Sequence, residues 1–194
     1  DGIFGQSEEI IRHVNQFPST KNKFVYRNLQ QYAVAAQPKR KHTPFRIVYA
    51  GLLGVAQDIY SIIENIPFQS IGAEFHLYGG GNQTEKIKEY INKHPGCFVY
   101  YHGYVKKEQI AEELSRYDAS IVPLTVAIKG AVPSKIYDLI PIGIPILFCG
   151  GGEGAEIVSK YYFGMVSKPH DFKQLHNNII ELINLPDEEY STIS

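Results

Sequence analysis

Ser134, Lys135 and Asp138 fall within one short stretch, Pro133-Ser134-Lys135-Ile136-Tyr137-Asp138. On a helix, residues four apart lie on the same face, so Ser134 and Asp138 would stack one turn apart. A hydroxyl and an ammonium at the start of a helix can converge with its free N–H groups on a diphosphate. A carboxylate one turn further on suits a vicinal diol, accepting a hydrogen bond from each hydroxyl. The competing reading makes Lys135 a solvated cation and Asp138 a surface acid. Glycines form the second set. Gly51 and Gly54 follow the apolar run FRIVYA, Gly79 to Gly81 follow AEFHLY, Gly103 follows FVYY, and Gly150 to Gly152 follow IPILFC. Glycine allows close backbone approach, and a helix beginning just after it offers N–H groups to phosphate oxygens. One such turn is ordinarily a tight connection and nothing more. Four of them, each after an apolar run, argue for a phosphate-bearing ligand.

The elements that must position these residues follow from the periodicity. Strands are expected over 45–50, 73–78, 98–101, 119–124, 145–149 and 165–167. Helices are expected over 56–65, 84–93, 107–116, 134–142, from the Gly150–Glu153 turn to about 160, and over 171–184. The alternation demands crossover connections, and the strands read as nearly continuous apolar runs. Both point to a Rossmann-like, doubly wound, mostly parallel α/β sheet with helices on both faces. In such a sheet a ligand sits beyond the carboxyl ends of the strands, where the glycines are. Upstream, 7–17 reads as a helix capped by Ser7, with Glu8 and Glu9 favouring its positive end. A short strand is expected over 23–27. The stretch 30–44, with Lys39-Arg40-Lys41 between Pro38 and Pro44, reads as a loop or linker.

Composition narrows the function classes. The chain has 194 residues, with Lys plus Arg at 19 against Asp plus Glu at 20 and a net charge of −1. Such a balance offers no basic field for nucleic acid, so a nucleic-acid partner is not expected. The longest apolar run, Leu139 to Cys149, is interrupted by Pro141 and Pro145, and a membrane helix needs about 20 apolar residues. Cys97 and Cys149 belong to no CxxC or CxxH pair, so they read as reduced core thiols of a reducing compartment. The seven histidines do not cluster at metal-ligand spacing, and no metal site is expected. His102, next to Gly103, could touch a ligand at the rim, although a turn histidine is the simpler reading. Neither a P-loop nor a GxSxG elbow is present. Gly150-x-Gly152-x-x-Ala155 matches a dinucleotide fingerprint, but that motif belongs in the first βα turn, with an acid ending the next strand. Too little chain follows to build such a site.

Several stretches, in order, resemble the C-terminal, donor-binding half of GT-B-type glycosyltransferases of the retaining family 4 group. The nearest branch is the one that makes bacterial surface polysaccharides. "YAGLLGVAQDI" resembles its glycine loop and Ala-Gln pair, and "FHLYGGGNQTEKI" its strand, glycine turn and helix. "FVYYHGYVKKEQIAEELSRYDASIVPL" resembles its fhGyv…ad…vPl stretch. "VPSKIYDLIPIGIPIL" is similar to its PSK-x-x-E-x-x-x-x-G-x-P signature, and "GEGAEIV" to the acidic helix start that follows. The resemblance implies a nucleotide-sugar donor, UDP-linked by branch, as co-substrate with no resident cofactor. It implies that Gly51 and Gly54 face the donor phosphates and that the backbone at Gly103, Tyr104 and Val105 meets the base. Ser134 and Lys135 would meet the diphosphate, and Asp138 the ribose hydroxyls. Gly152, Glu153, Gly154 and Glu156 would lie near the sugar and phosphate. No catalytic residue is assigned.

Two departures stand out. Many relatives carry a first acid eight positions before the second, where this chain has Gly130. An Arg often follows the first glycine, where this chain has Leu52. The resemblance further implies that residues 1–44 are the end of an acceptor domain and an interdomain linker, and that 45–194 form the donor-binding domain. The rest of the acceptor domain and a final helix that crosses back would lie outside the chain, leaving the donor half inactive alone. The acceptor would be a saccharide or a lipid-linked saccharide. The location would be cytoplasmic, with peripheral contact to the inner face of the membrane. Two other classes stay open: an enzyme like the UDP-sugar 2-epimerases, and a noncatalytic flavodoxin-like binding module. The first needs a pattern of catalytic carboxylates and histidines, and the second an Asp cluster on the early loops; neither is found in the sequence.

Overall fold

A computed structural model describes residues 1–27, 29, 41–126 and 129–193. Its elements are β1 (Gly2–Gly5), α1 (Glu8–Val14), β2 (Asn22–Val25), β3 (Phe45–Ala50), α2 (Ile59–Asn65), β4 (Ala73–Tyr78), α3 (Thr84–Lys93) and β5 (Val99–Gly103). They continue with α4 (Ile110–Leu114), β6 (Ala119–Pro123), α5 (Ser134–Leu139), β7 (Ile146–Cys149), α6 (Glu153–Lys160), β8 (Gly164–Ser167), α7 (Phe172–Asn184) and α8 (Asp187–Tyr190). Six strands form one sheet in the order β5-β4-β3-β6-β7-β8, every pair parallel. The chain steps outward from β3 through β4 to β5, then returns to the other side of β3 with β6. Strand order therefore reverses between β3 and β6, and a crevice opens at their carboxyl ends.

Burial confirms the doubly wound reading. One face of the sheet packs Ile47, Tyr49, Phe75 and Leu77 under α2, α3 and α7. The other packs Val48, Val122, Ile146 and Phe148 under α4, α5 and α6. Residues 47–49 of β3 are fully buried, as expected of a central strand covered on both sides.

Local chemistry explains where the elements begin and end. Ser7 Oγ accepts from Ile10 N at 3.1 Å and starts α1, and Asp171 Oδ1 accepts from Gln174 N at 3.0 Å and starts α7. The expected helix over 56–65 begins only at Ile59. Gly54 O accepts from both Gln57 N and Asp58 N, and Asp58 sits in the left-handed region at φ 44, so the preceding residues form a turn. The expected helix over 107–116 opens as a 3-10 turn, Lys107–Gln109, before α4. That over 134–142 becomes α5 followed by the 3-10 turn Ile140–Ile142. Pro141 removes an N–H there, and Gly143 at φ 69 ends the run. Besides the 3-10 turn Phe68–Ile71, two elements among the described residues were not anticipated from the sequence. One is β1, which pairs in parallel with β2, and the other is α8. Of the expected loop, residues 30–40 lie outside the described residues. No helix among the described residues is long and apolar enough to cross a membrane.

The amino-terminal edge of the sheet is braced by Asp118, which is 3% exposed. Its carboxylate accepts from Arg46 N at 2.6 Å, from His42 N at 3.1 Å and from the His42 ring at 2.9 Å. Its carbonyl accepts from Tyr190 Oη at 2.5 Å. Asp118→Ala leaves the Tyr190 bond to the main chain in place but strands the His42 and Arg46 donors at the foot of β3. The expected loss of stability is about 2–4 kcal/mol, and the melting temperature read by calorimetry falls by about 5–15 °C.

Candidate functional site

The site is built by two loops that lie against each other. Gly51 N donates to Tyr78 O at 2.9 Å, Leu53 N to Gly80 O at 2.9 Å, and Gln83 N to Leu53 O at 3.0 Å. The loop after β3 is thus laced to the loop after β4. A Cβ at Gly79 would stand 2.0 Å from Gly51 O, and one at Gly81 would stand 2.4 Å from Leu53 O. These glycines permit loop-on-loop packing, a role distinct from ligand contact. The β5 end joins the set: Gly79 N donates to Gly103 O at 2.6 Å, and Tyr101 Oη to Gly79 O at 2.8 Å.

Between these loops and helices α4 and α5 lie two adjoining recesses. The first has about 720 Å³ of free space and is walled by Gly51, Leu52, Tyr78, Gly80, Tyr104 and Val105. The second has about 430 Å³ and is walled by Leu114, Ser120, Lys135 and Asp138. Ala50 and Ile110 line both, so together they form one groove from Tyr104 to Asp138. It runs over the crevice where strand order reverses.

Lys135 is the cation of this groove. A methyl group at Gly51 would lie 2.4 Å from its Cε and Nζ, so Gly51 leaves the room that the ammonium occupies. Nζ lies 5.7 Å from the centroid of the Tyr49 ring. Among the described residues it makes no ion pair. Burial lowers the Lys135 pKa, and the charge of Asp138 partly offsets this. Burial raises the Asp138 pKa, against the opposing pull of Lys135 and Lys107. At the other end Tyr104 is 82% exposed. Its hydroxyl lies over Gly80, where a Cβ would be 2.2 Å away. The groove therefore offers a cation, a carboxylate able to hold a diol, and an apolar wall for a flat ring.

Of the residues singled out in the sequence, Gly51, Tyr104, Val105, Lys135 and Asp138 come together here. Gly103, at φ 76, shapes the strand end that delivers Tyr104. Gly54 is buried beneath the first loop and closes its turn. Ser134 is exposed at the first position of α5 and does not line the groove. Gly152, at φ 69, opens α6. Gly154 is a packing position, since a Cβ there would lie 2.9 Å from Phe148 Cζ. Glu156 faces solvent. Glu153 is buried, and its carboxylate is already engaged. It accepts from Glu8 N at 3.0 Å and Glu9 N at 3.1 Å and pairs with Arg27 at 2.6 Å. These hydrogen bonds and the guanidinium outweigh burial and hold its pKa below the usual carboxylate range.

Sequence reasoning missed Tyr78 and Ile110 as groove-lining residues and Tyr49 as the buried ring near the Lys135 ammonium. Tyr49 and Tyr78 stand at the carboxyl ends of strands, which was the available signal, but an aromatic in an apolar run also reads as core. His102 stacks on Tyr78 at 4.7 Å and meets the His76 ring nitrogen at 2.9 Å. It therefore supports the wall from behind. At Gly130, where the resemblance places a first acid, the carboxylate of Glu9 arrives from α1 and accepts from Gly130 N at 2.7 Å. The dinucleotide fingerprint follows β7, two places from β3, as its position in the sequence suggested.

Comparison with known proteins agrees with this fold. The family model for glycosyl transferases group 1 matches residues 44–185. No curated protein sequence matches significantly. Among solved structures, a TarM mutant from S. aureus, in complex with fondaparinux, alpha-GlcNAc-glycerol and UDP, superposes with TM-score 0.73 at 20% identity, over 99% of this chain and 38% of that one. HepE from Anabaena, in complex with UDP and glucose, superposes with TM-score 0.71 at 15% identity, over 99% and 56%. The pneumococcal O-GlcNAc transferase GtfA, in complex with UDP and GlcNAc, superposes with TM-score 0.68 at 15% identity, over 100% and 40%. The chain thus spans well under two thirds of the length of these structures. At such identities the likeness establishes the Rossmann-like fold, while the family match covers most of the chain: it belongs to the glycosyl transferases group 1 family.

Proposed function

We propose that this chain is the donor-binding half of a retaining, family 4 glycosyltransferase that takes its sugar from a nucleotide-sugar, with UDP as the nucleotide. The observation that carries the reading is the one groove that holds Lys135, without an ion pair among the described residues, and Asp138 beside the glycine wall at Gly51. Lys135 meets the diphosphate, Asp138 accepts from the ribose hydroxyls, and Tyr104 and Val105 flank the base. As the glycosidic bond breaks, negative charge grows on the departing diphosphate. A pre-positioned ammonium in a partly dry groove stabilises that charge. Structures of family-like fold that contain UDP support the choice of nucleotide.

In this reading, residues 1–44 end an acceptor domain and cross to the donor domain at 45–194. The β1/β2 ladder supports it. Two-stranded parallel sheets rarely stand alone, because parallel sheets are covered on both faces; here Phe4 and Phe24 are 68% and 47% exposed. In a longer protein, further strands on that sheet would supply the acceptor surface, for a saccharide or lipid-linked saccharide of a surface polysaccharide. The enzyme would work on the cytoplasmic side, touching the membrane peripherally.

The test is calorimetric titration of the 194-residue chain with UDP, GDP, ADP and NAD. UDP is expected to bind most tightly. Sugar transfer from a UDP-sugar is expected only from a longer protein that includes the acceptor domain. Binding of NAD alone would overturn the reading.

A further inference from the structure

Part of the groove is held in place from outside the doubly wound unit. Arg27, just beyond β2, sends its guanidinium to three groups. Nη2 pairs with Glu153 at 2.6 Å, and Nη1 donates to Tyr137 Oη at 2.9 Å and to Gln6 O at 3.1 Å. Tyr137 is 6% exposed and sits on α5 between Lys135 and Asp138. Glu153 in turn holds the start of α1 through Glu8 N and Glu9 N. Glu9 returns its carboxylate to Gly130 N, in the segment leading into α5. The segment 130–138 is therefore tied to the upstream chain at two points, Gly130 and Tyr137.

We propose that Arg27 is a positioning residue for the diphosphate end of the donor groove. This rests on the donor-binding reading above. α5 has six residues and no side-chain cap at its start. A helix that short has little stability of its own, so tertiary contacts set its direction. The Arg27 fork is a rigid contact of this kind: it joins the helix bearing Lys135 and Asp138 to the first residue of α6. The opposite wall, at Gly80, Tyr104 and Val105, is built by β4 and β5 and receives no contact from Arg27. Loss of Arg27 should therefore shift the ammonium and the diol acceptor while leaving the base wall in place.

The experiment compares UDP and uridine binding to the whole chain and to Arg27→Ala, Arg27→Lys and Lys135→Ala, by calorimetry for UDP and ligand-observed NMR for uridine. Arg27→Ala is expected to bind UDP about tenfold more weakly, the scale of losing a group that orients ligand-binding residues. Its affinity for uridine, which keeps the base wall and loses only the Asp138 contacts to the diol, should fall by clearly less, about threefold at most. Arg27→Lys should not restore UDP binding, because an ammonium cannot span Tyr137 and Glu153 as the planar fork does. Removal of Arg27 leaves the buried Glu153 carboxylate without its countercharge, held only by Glu8 N and Glu9 N. If that variant does not fold, the pair Arg27→Ala with Glu153→Gln carries the same comparison. Wild-type UDP affinity in the Arg27 variants, or equal loss for UDP and uridine, overturns the proposal. A wild-type chain that binds no UDP, or Lys135→Ala that binds it undiminished, overturns the donor-site reading instead, and this proposal with it.

Discussion

Lys135→Ala is expected to weaken UDP binding about 10–100-fold, with little change in melting temperature. Hydrogen bonds to charged partners contribute about 1.5–3 kcal/mol each, and about 1.4 kcal/mol is a factor of ten. The upper part of the range applies because Lys135 has no ion-pair partner among the described residues that would have to be given up on binding. The small effect on stability has the same origin: an unpaired, half-buried ammonium contributes little to the fold. A pH dependence follows. Burial lowers the Lys135 pKa, and the diphosphate binds the protonated form. UDP affinity should therefore fall as pH rises through that lowered value, earlier than an ordinary lysine would require. Binding should in turn draw the pKa back up, so titration above neutrality should show proton uptake in buffers of differing ionisation enthalpy. In Lys135→Ala the uptake should vanish. Persistence of the alkaline loss in that variant would assign it to another group.

Gly79→Ala is the second large effect, and it strikes fold and site together. Gly79 adopts φ 114, and an added Cβ would stand 2.0 Å from Gly51 O. That clash is with backbone, so no side chain can swing aside to relieve it. Strained positive-φ positions alone cost about 1–3 kcal/mol, and separating the two loops adds the Gly51–Tyr78 hydrogen bond to the loss. The expected destabilisation is about 2–4 kcal/mol, read as a melting temperature lower by about 5–15 °C. Because the displaced loop carries Gly51, which makes room for Lys135, UDP binding should weaken as well. Gly96→Ala is the control. That position has φ 87 but no atom within 4 Å of the added Cβ, so it should lose stability without losing nucleotide. Equal effects on nucleotide binding from both variants would show that loop contact is not what matters at Gly79.

Much of this arrangement is legible in the chain itself. FRIVYA and ASIVPL carry apolar side chains on both faces and AEFHLY mainly on one, with Glu74 and His76 on the other; this is a local property of each run, and they became β3, β4 and β6 of a parallel sheet. The four-residue spacing of Ser134 and Asp138 is likewise local, and the helix there was foreseeable. The pairing of β1 with β2 was not. Its strands are four residues each, half exposed and too short for a clear period. The start of α2 was missed because Asp58 takes a left-handed conformation, which aspartate adopts more often than most residues but still only in a minority of positions.

The jobs of the site residues divide along the same line. Residue type and order along the chain were enough to place glycines, a lysine and a carboxylate at the carboxyl ends of parallel strands, because strand and helix periods are set by near neighbours. Only the tertiary structure decided that Gly79 and Gly81 serve loop packing, that Lys135 makes no ion pair among the described residues while Glu153 is spent on Arg27, and that a carboxylate reaches Gly130 from Glu9. Each of those outcomes depends on groups far apart in sequence meeting within hydrogen-bond distance. Glu9 and Gly130 are separated by 121 positions, and no local pattern encodes such a meeting.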